Sequence, residues 1–148
     1  MDYPSRIQVV SLDVEDQASI ESAASIIKDK FGRVDMLLNN AGILGDGKTT
    51  PGPERSLSKM DRDWMEKSMA VNLIGPVMLS KELAPLMMQR RKKNKSPEEE
   101  ERAVAVIANL GARVGSIADN GLGGWYSYRM SKAALNQATR MMALELKR

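Results

Sequence analysis

The sequence contains no cysteine and no histidine in its 148 residues. The absence of cysteine excludes a disulfide framework and thiolate chemistry, and the absence of histidine excludes a His-based catalytic triad and any His-ligated metal. Long hydrophobic runs are also missing, because no stretch approaches the roughly 20 apolar residues that span a bilayer. We therefore expect no metal site and no membrane segment, which leaves hydroxyl, amide, amine and carboxylate side chains to carry any chemistry.

Charge is nearly balanced, with 22 basic and 19 acidic residues and a net charge of +3. The densest basic run, at residues 90–95, is followed at once by four glutamates at 98–101, so the local field largely cancels. We interpret residues 90–102 as a charged flexible loop and expect no nucleic-acid partner. The N-terminus lacks an apolar signal core, so a cytoplasmic location is expected.

Hydrophobic patterning predicts strands that alternate with helices. The strands are the branched, apolar stretches at residues 6–14, 34–42 and 103–110. The helices are the amphipathic stretches at residues 17–31, 58–84 and 128–148. Gly32 fits a helix C-terminal cap, and Pro76 predicts a kink. The alternation predicts an α/β fold in one domain, with a parallel sheet of about three strands and helices on both faces.

Polar and glycine residues follow each predicted strand. They stand at Asp13, at residues 39–42 and at residues 109–115. In open parallel sheets, ligands bind beyond the carboxyl ends of the strands. We therefore expect these residues to collect along one edge and to form a binding site there.

Tyr128 and Lys132 are four residues apart at the start of the last predicted helix. This spacing places the phenol and the ammonium on one face of a helix. A positive charge near a phenol favours the phenolate, so such a tyrosine could hand a proton to a carbonyl oxygen near neutral pH. Tyr126 is a competing phenol, but Met130 rather than a lysine stands four residues beyond it.

Four motifs in this order resemble those of the short-chain dehydrogenase/reductase family. They are Leu12-Asp13-Val14, Asn39-Asn40-Ala41-Gly42, Val71-Asn72 with Gly75, and Tyr128-x-x-x-Lys132. Residues 115–117 together with 123–129 resemble in particular the C-factor-like and sniffer-like carbonyl reductases. The resemblance implies a Rossmann-like three-layer αβα fold and an NAD(P)(H)-dependent oxidoreductase. Such an enzyme would act on a small carbonyl or alcohol substrate by hydride transfer, with NADP or NAD as cofactor.

The resemblance also implies contacts with that cofactor. Asp13 and Val14 would contact its adenine, and Asn39, Ala41 and Gly42 would stabilise the sheet and line the adenosine half. A structural alternative stays open for two of these positions. Asp13 could cap the following helix, and Asn39 could belong to an ordinary turn after a strand.

The same resemblance implies catalytic roles. Tyr128 would be the acid/base, Lys132 would bond the nicotinamide ribose and activate Tyr128, and Asn72 would hold a water in a proton relay. Asn72 could instead be purely structural. The family's serine is replaced, because Gly111-Ala112-Arg113 stands in its place, and Ser116 is the nearest hydroxyl.

The family's glycine-rich phosphate loop, TGxxxGxG, is absent, and the sequence stops before the family's last two strands. We therefore expect residues 1–148 to form an incomplete NAD(P)-binding domain. One hypothesis is that the chain is a piece of a reductase. The other is a catalytically incomplete interaction partner that forms oligomers through the Met-rich helices at residues 58–88 and 130–146.

Overall fold

The structure, a computed structural model, describes residues 7–88 and 105–146. The predicted charged loop at residues 90–102 lies outside these ranges. The helices and strands in chain order are α1 (Gln17–Phe31), β1 (Met36–Asn39), α2 (Arg62–Met69), α3 (Gly75–Met87), β2 (Val106–Asn109) and α4 (Tyr126–Glu145). Short 3-10 turns stand at Leu57–Lys59 and Arg113–Gly115.

Helix α1 has the bounds that the sequence predicts, because local capping sets both ends. The Asp16 side chain accepts a hydrogen bond from the Ala18 N–H at 3.0 Å and caps the first turn. Gly32 adopts φ 67° and its N–H bonds the Lys28 carbonyl at 2.8 Å, as expected for a glycine C-terminal cap. The apolar face of α1 is buried at Ile20, whereas Phe31 at the end of the helix is 56% exposed.

Helices α2 and α3 are joined by a π turn at Ala70–Ile74 rather than by the predicted kink at Pro76. Pro76 lies in the first turn of α3, where a missing N–H breaks no intrahelical bond. Gly75 packs directly against Val14, since a Cβ at Gly75 would lie 2.7 Å from the Val14 Cβ. The irregularity in the helix is therefore the π turn, and Pro76 follows it without breaking an intrahelical hydrogen bond.

The two strands pair in parallel, with Met36 opposite Val106 and Asn39 opposite Asn109. The core lies between this sheet, α1 and α3, and its buried members are Ile20, Ala24, Leu37, Leu79, Leu83 and Leu86. On the other face of β1, Met36 and Leu38 are 65% and 55% exposed. The α/β class is as predicted, and helices in the described ranges leave this second face of the sheet largely uncovered.

The predicted first strand, at residues 6–14, does not form. Residues 7–13 have no regular secondary structure, and Ile7 and Val9 are 72% and 85% exposed. A strand needs a neighbour to receive its backbone hydrogen bonds, and no strand of the described ranges lies beside this segment. The sheet described here therefore has two strands where about three were predicted.

Helix α4 begins at Tyr126, two residues before the predicted start at Tyr128. It buries several polar side chains, namely Ser127, Ser131 and Lys132, which is unusual for a helix that packs on a core. Within residues 7–88 and 105–146, no helix is both long and apolar enough to cross a membrane.

Candidate active site

Asn39 ends β1 with an amide that is only 7% exposed. Its Nδ2 donates to Asn109 Oδ1 at 2.8 Å, and to Ser80 Oγ at 3.2 Å on α3. Asn109 in turn donates to Thr139 Oγ1 at 2.9 Å on α4. These bonds tie the ends of both strands to α3 and α4, so Asn39 stabilises the sheet as expected. Its contact with a cofactor remains a prediction.

Asn72, in the π turn, is fully buried. Its Oδ1 accepts from the Ile43 N–H at 2.7 Å, while Nδ2 donates to the Ile43 carbonyl at 2.8 Å. Nδ2 also lies 3.3 Å from Ser68 Oγ and 3.1 Å from Ser131 Oγ. The amide therefore joins the loop after β1 to α4, which satisfies the structural alternative. Its role in a proton relay remains a prediction.

Ser131 is a site residue that the sequence reasoning missed. It is fully buried, accepts from Asn72, and donates to the Tyr128 carbonyl at 2.9 Å. The signal in the sequence is weak: a small polar residue that directly precedes Lys132. Its partner Asn72 is 59 residues away in the chain, so only the fold reveals the pair.

Tyr128 and Lys132 lie on the same face of α4 as predicted. Lys132 is 4% exposed, and its Nζ donates to the Leu110 carbonyl at 2.7 Å, just beyond β2. The same Nζ lies 5.7 Å from the centroid of the Tyr128 ring. Burial lowers the pKa of Lys132, because desolvation disfavours the ammonium form. A buried cation beside a partly exposed phenol is an arrangement suited to proton transfer.

Gly42 lies against both Asn72 and Lys132. A Cβ at this position would stand 3.2 Å from Asn72 Oδ1 and 3.7 Å from Lys132 Nζ. Ala41 and Gly42 are themselves exposed, so a ligand can approach the backbone here. The structure thus brings residues from the ends of both strands and from α4 together at one edge, whereas Asp13, which was expected there too, has no strand before it.

Asp13 is exposed in a turn before α1. Its Oδ1 accepts from the Glu15 N–H at 2.9 Å, and Asp16 rather than Asp13 caps the helix, so the capping alternative for Asp13 is wrong. Val14 packs on Gly75 at the start of α3. In the described ranges no hydrogen bond joins Asp13 to Tyr128 or Lys132. The adenine contacts of Asp13 and Val14 remain predictions.

Ser116 is held within its own loop. Its Oγ accepts from the Asp119 N–H at 3.2 Å, directly after the 3-10 turn at Arg113–Gly115. No hydrogen bond joins its hydroxyl to Tyr128 in the part of the chain that the structure describes. A catalytic role for Ser116 therefore remains a prediction that these contacts do not support.

The start of α4 has an unusual backbone. Gly123, Gly124 and Trp125 adopt φ values of 64°, 67° and 55° in succession, a region that only glycine enters freely. The Trp125 ring meets the Tyr128 ring edge-on, with centroids 6.4 Å apart and planes at 70°. The left-handed run thus places an indole edge-on to the Tyr128 phenol.

Glu54 is a second residue that the sequence reasoning missed. It is 5% exposed; its carboxylate accepts from the Ser127 hydroxyl, and also from the Ser127 N–H at 3.3 Å. The Glu54 carbonyl also accepts from the Trp125 N–H. A lone acidic residue in a loop carries no pattern that predicts burial. In the folded chain it supplies the anion that favours a helix N-terminus.

Comparisons with known proteins confirm the family resemblance. The family model described as "short chain dehydrogenase" matches residues 2–148. The C-signal protein of Myxococcus xanthus is 34% identical over 116 residues, which is 78% of this chain and 58% of that protein. The solved structure of the carbonyl reductase Sniffer of D. melanogaster gives a TM-score of 0.79 at 27% identity, over 97% of this chain and 55% of that one. The NADPH-bound carbonyl reductase from chicken fatty liver gives 0.76 at 30% identity, over 95% and 52%. The chain therefore spans little more than half the length of these relatives.

Proposed function

Because the chain belongs to the short-chain dehydrogenase family, we propose that it carries the proton-transfer residues of an NAD(P)(H)-dependent oxidoreductase. The proposed reaction interconverts a carbonyl compound and its alcohol. Two of the solved structures that this chain resembles are carbonyl reductases, which supports this reaction type.

One observation carries the proposal most strongly. Tyr128 is partly exposed beside the buried Lys132, whose Nζ lies 5.7 Å from the phenol ring. Gly42, just beyond the end of β1, lies beside both Asn72 and Lys132. A purely structural helix face rarely buries a lysine without a carboxylate partner, because the desolvation of the ammonium costs free energy.

The residues present fit part of a nicotinamide dinucleotide. The exposed backbone at Ala41 and Gly42, beside the Lys132 ammonium, fits a ribose hydroxyl group, since a Cβ at Gly42 would fill the intervening space. The family's glycine-rich turn, which cradles the pyrophosphate on backbone N–H groups, is absent from the sequence. When bound, the nicotinamide supplies the hydride.

The chain's own residues handle the proton. In the reducing direction, the Tyr128 hydroxyl donates its proton to the carbonyl oxygen of the substrate, and in the oxidising direction the phenolate takes it back. The Lys132 ammonium stabilises the phenolate that forms between these events. The Leu110 carbonyl holds Lys132 in place through the 2.7 Å bond.

The test compares Tyr128→Phe with Tyr126→Phe, since both replacements remove one phenolic hydroxyl from the first turn of α4. NADPH and NADH binding are measured by calorimetry, and carbonyl reduction by loss of NADPH absorbance with aromatic aldehydes and ketones. We expect saturable cofactor binding by both variants and the native chain. Loss of the general acid should lower the rate of Tyr128→Phe about 10²–10⁴-fold, with Tyr126→Phe close to native.

Two results would contradict the proposal for this chain. One is the absence of saturable binding at millimolar cofactor. The other is equal rates for Tyr126→Phe and Tyr128→Phe, which would mean that the phenol of Tyr128 is not the acid.

A second candidate function is association with another copy of the chain. Helix α4 exposes Met141 and Leu144 to 54% and 59% near its end, within the helix pair expected to form oligomer contacts. In this alternative, the buried polar network stabilises a scaffold that docks on a partner. Sedimentation of the chain over a range of concentrations tests this alternative, and a monomer at every concentration would contradict it.

A further inference from the structure

A cavity of about 470 Å³ opens beside the start of α4. Its volume lies within the range of about 300–1,000 Å³ that is typical of small-molecule sites. Its apolar wall is formed by Val114, Leu122 and Trp125, and its polar wall by Arg55 and Arg129. This combination of apolar side chains with two guanidinium groups is the lining expected for an organic anion.

The described residues do not supply a hydrogen-bond acceptor for every N–H group of Arg129. It donates to the Val114 carbonyl at 3.3 Å, but its Nε is buried and has no hydrogen-bond partner in the described part of the chain. A buried N–H without an acceptor costs free energy, so such groups usually have a ligand, a water or a role. Arg129 also lines the cavity, so an anion bound there would lie beside its guanidinium group.

The carboxylates of the surrounding loops are engaged elsewhere. Glu54 accepts from Ser127, and Asp119 accepts from Arg113 at 2.5 Å and 3.1 Å. The pKa of Asp119 is held below its usual value, first by Arg113 and to a lesser extent by Arg129. Neither Arg55 nor Arg129 forms an ion pair with a carboxylate of residues 7–88 or 105–146. The cavity therefore presents two guanidinium groups that no carboxylate of the described residues neutralises directly.

The cavity borders the candidate active site through Trp125. That indole lines the cavity and meets the Tyr128 ring at 6.4 Å between centroids, and Arg129 directly follows Tyr128 in α4. We propose that the cavity binds the carboxylate end of the substrate, so that the substrate is an organic acid that also bears a carbonyl group and an apolar body. This rests on the proposed function, because only reaction at Tyr128 makes the bound anion a substrate. The planar fork of a guanidinium matches a carboxylate in geometry, and two of them distinguish it from a neutral ester.

The test measures binding without cofactor, by calorimetry at neutral pH and low salt. The probes are benzoylformate, which is an aromatic 2-oxo acid, and its methyl ester, which has a similar shape and no charge. We expect the native chain to bind the acid about tenfold more tightly than the ester, the difference that one or two charged hydrogen bonds provide. Arg55→Gln and Arg129→Gln should each weaken binding of the acid by about the same factor and leave the ester unchanged.

Arg140→Gln is the matched control, since Arg140 is an exposed arginine on the same helix and does not line the cavity. Arg55 is exposed, so its variant should fold even if Arg129→Gln does not, and circular dichroism checks both. Equal binding of acid and ester, no binding of either at millimolar concentration, or native affinity in Arg55→Gln would overturn the proposal. Displacement of benzoylformate by adenosine 2′,5′-bisphosphate would also overturn it, by assigning the cavity to a cofactor phosphate. Binding of the acid at the two arginines, with no cofactor binding, would instead overturn only the reductase function.

Discussion

The Glu54 carboxylate meets the first turn of α4 at Ser127, one residue before Tyr128. Free N–H groups at a helix N-terminus favour a negative charge, and here the carboxylate also accepts the Ser127 hydroxyl. Because Glu54 belongs to a loop that also bonds the Trp125 N–H, it joins two segments that are distant in sequence. Its chief effect is to fix where α4 begins and therefore where Tyr128 points.

Glu54→Gln should destabilise the fold although it preserves size and shape. The amide can still bond Ser127 but carries no charge, so the charge-assisted hydrogen bonds and the favourable anion at the helix N-terminus are lost, at a cost of about 1–2 kcal/mol. Urea denaturation followed by circular dichroism measures the change. Glu66→Gln is the control, because Glu66 pairs with Arg62 on an exposed helix face, where ion pairs contribute little. Equal losses in the two variants would contradict the importance of Glu54.

Lys132 gives stability a dependence on pH. Burial lowers its pKa in the folded state below the value of about 10.4 in the unfolded chain. Between these two values the unfolded state binds more protons than the native state, so the contribution of Lys132 to stability rises with pH.

Lys132→Met, which keeps a similar volume, removes that contribution. Relative to this variant, the native chain should become more stable as the pH is raised from about 8 to about 10. The measurement is the difference in the free energy of unfolding between the two proteins at several pH values. A constant difference across that range would mean that the lysine titrates alike in both states.

The contacts of single residues show where sequence reasoning stops. Tyr128 and Lys132 were paired correctly because helical spacing is a local property. The bond from Asn72 to Ser131 and the bond from Glu54 to Ser127 join residues 59 and 73 positions apart. No local pattern specifies which buried polar groups meet, because the choice depends on how the helices pack.

Among the elements, α4 is positioned by its contact with the 3-10 turn at Arg113–Gly115. Gly115 makes the approach possible, since a Cβ there would stand 2.9 Å from the Lys132 carbonyl carbon and 3.0 Å from its Cβ. These are backbone and near-backbone atoms, so a side chain at Gly115 must displace the helix itself. The glycine thus keeps Lys132 close to Leu110 at the end of β2.

Gly115→Ala should destabilise the chain by about 1–3 kcal/mol, as overpacking does in a close-packed interior. It should also weaken cofactor binding, because α4 carries both Tyr128 and Lys132. Gly121→Ala is the control, because a Cβ at Gly121 meets nothing within 4 Å. Thermal unfolding of the two variants provides the comparison. An unchanged melting temperature in Gly115→Ala would show that α4 can shift without loss of stability.

Some helices and strands were predicted more accurately than others, and the reason is physical. Helix α1 was predicted to the residue because Asp16 and Gly32 cap it through contacts within a few positions. The segment at residues 7–13 has the composition of a strand, yet strand formation depends on a hydrogen-bonded neighbour that composition does not reveal. The π turn at Ala70–Ile74 leaves the apolar pattern of the helix nearly intact, so it has no sequence signature of its own.

At the scale of the whole molecule, the described ranges expose much of one face of the sheet. Met36 and Leu38 on β1 and the unpaired Ile7 and Val9 are all more than half exposed. Uncovered apolar strands with free backbone groups promote association between chains. Met141 and Leu144 form a second exposed apolar surface on α4.

We expect the chain to self-associate through the sheet, and sedimentation equilibrium should show it. Met36→Lys combined with Leu38→Lys should lower the association constant, because charged side chains on strands oppose pairing between sheets. The matched pair Met141→Lys with Leu144→Lys tests the helix surface instead. If only the second pair of substitutions reduces association, the helix surface forms the interface. A monomer at every concentration would contradict both the sheet interface and the helix interface.

The π turn also determines how the chain tolerates changes in length. Its wider turn acts as a one-residue insertion between α2 and α3. Deletion of a single residue there would restore a regular helix and leave α3 in register with α2, because the wide turn already offsets the extra residue. Gly75 would then keep its place against Val14. Asn72, which lies within the wide turn, would be redirected and would lose its bonds to Ile43. The candidate site therefore depends on the wide turn itself, and a one-residue deletion there should remove the Asn72 contacts while it preserves the helix on either side.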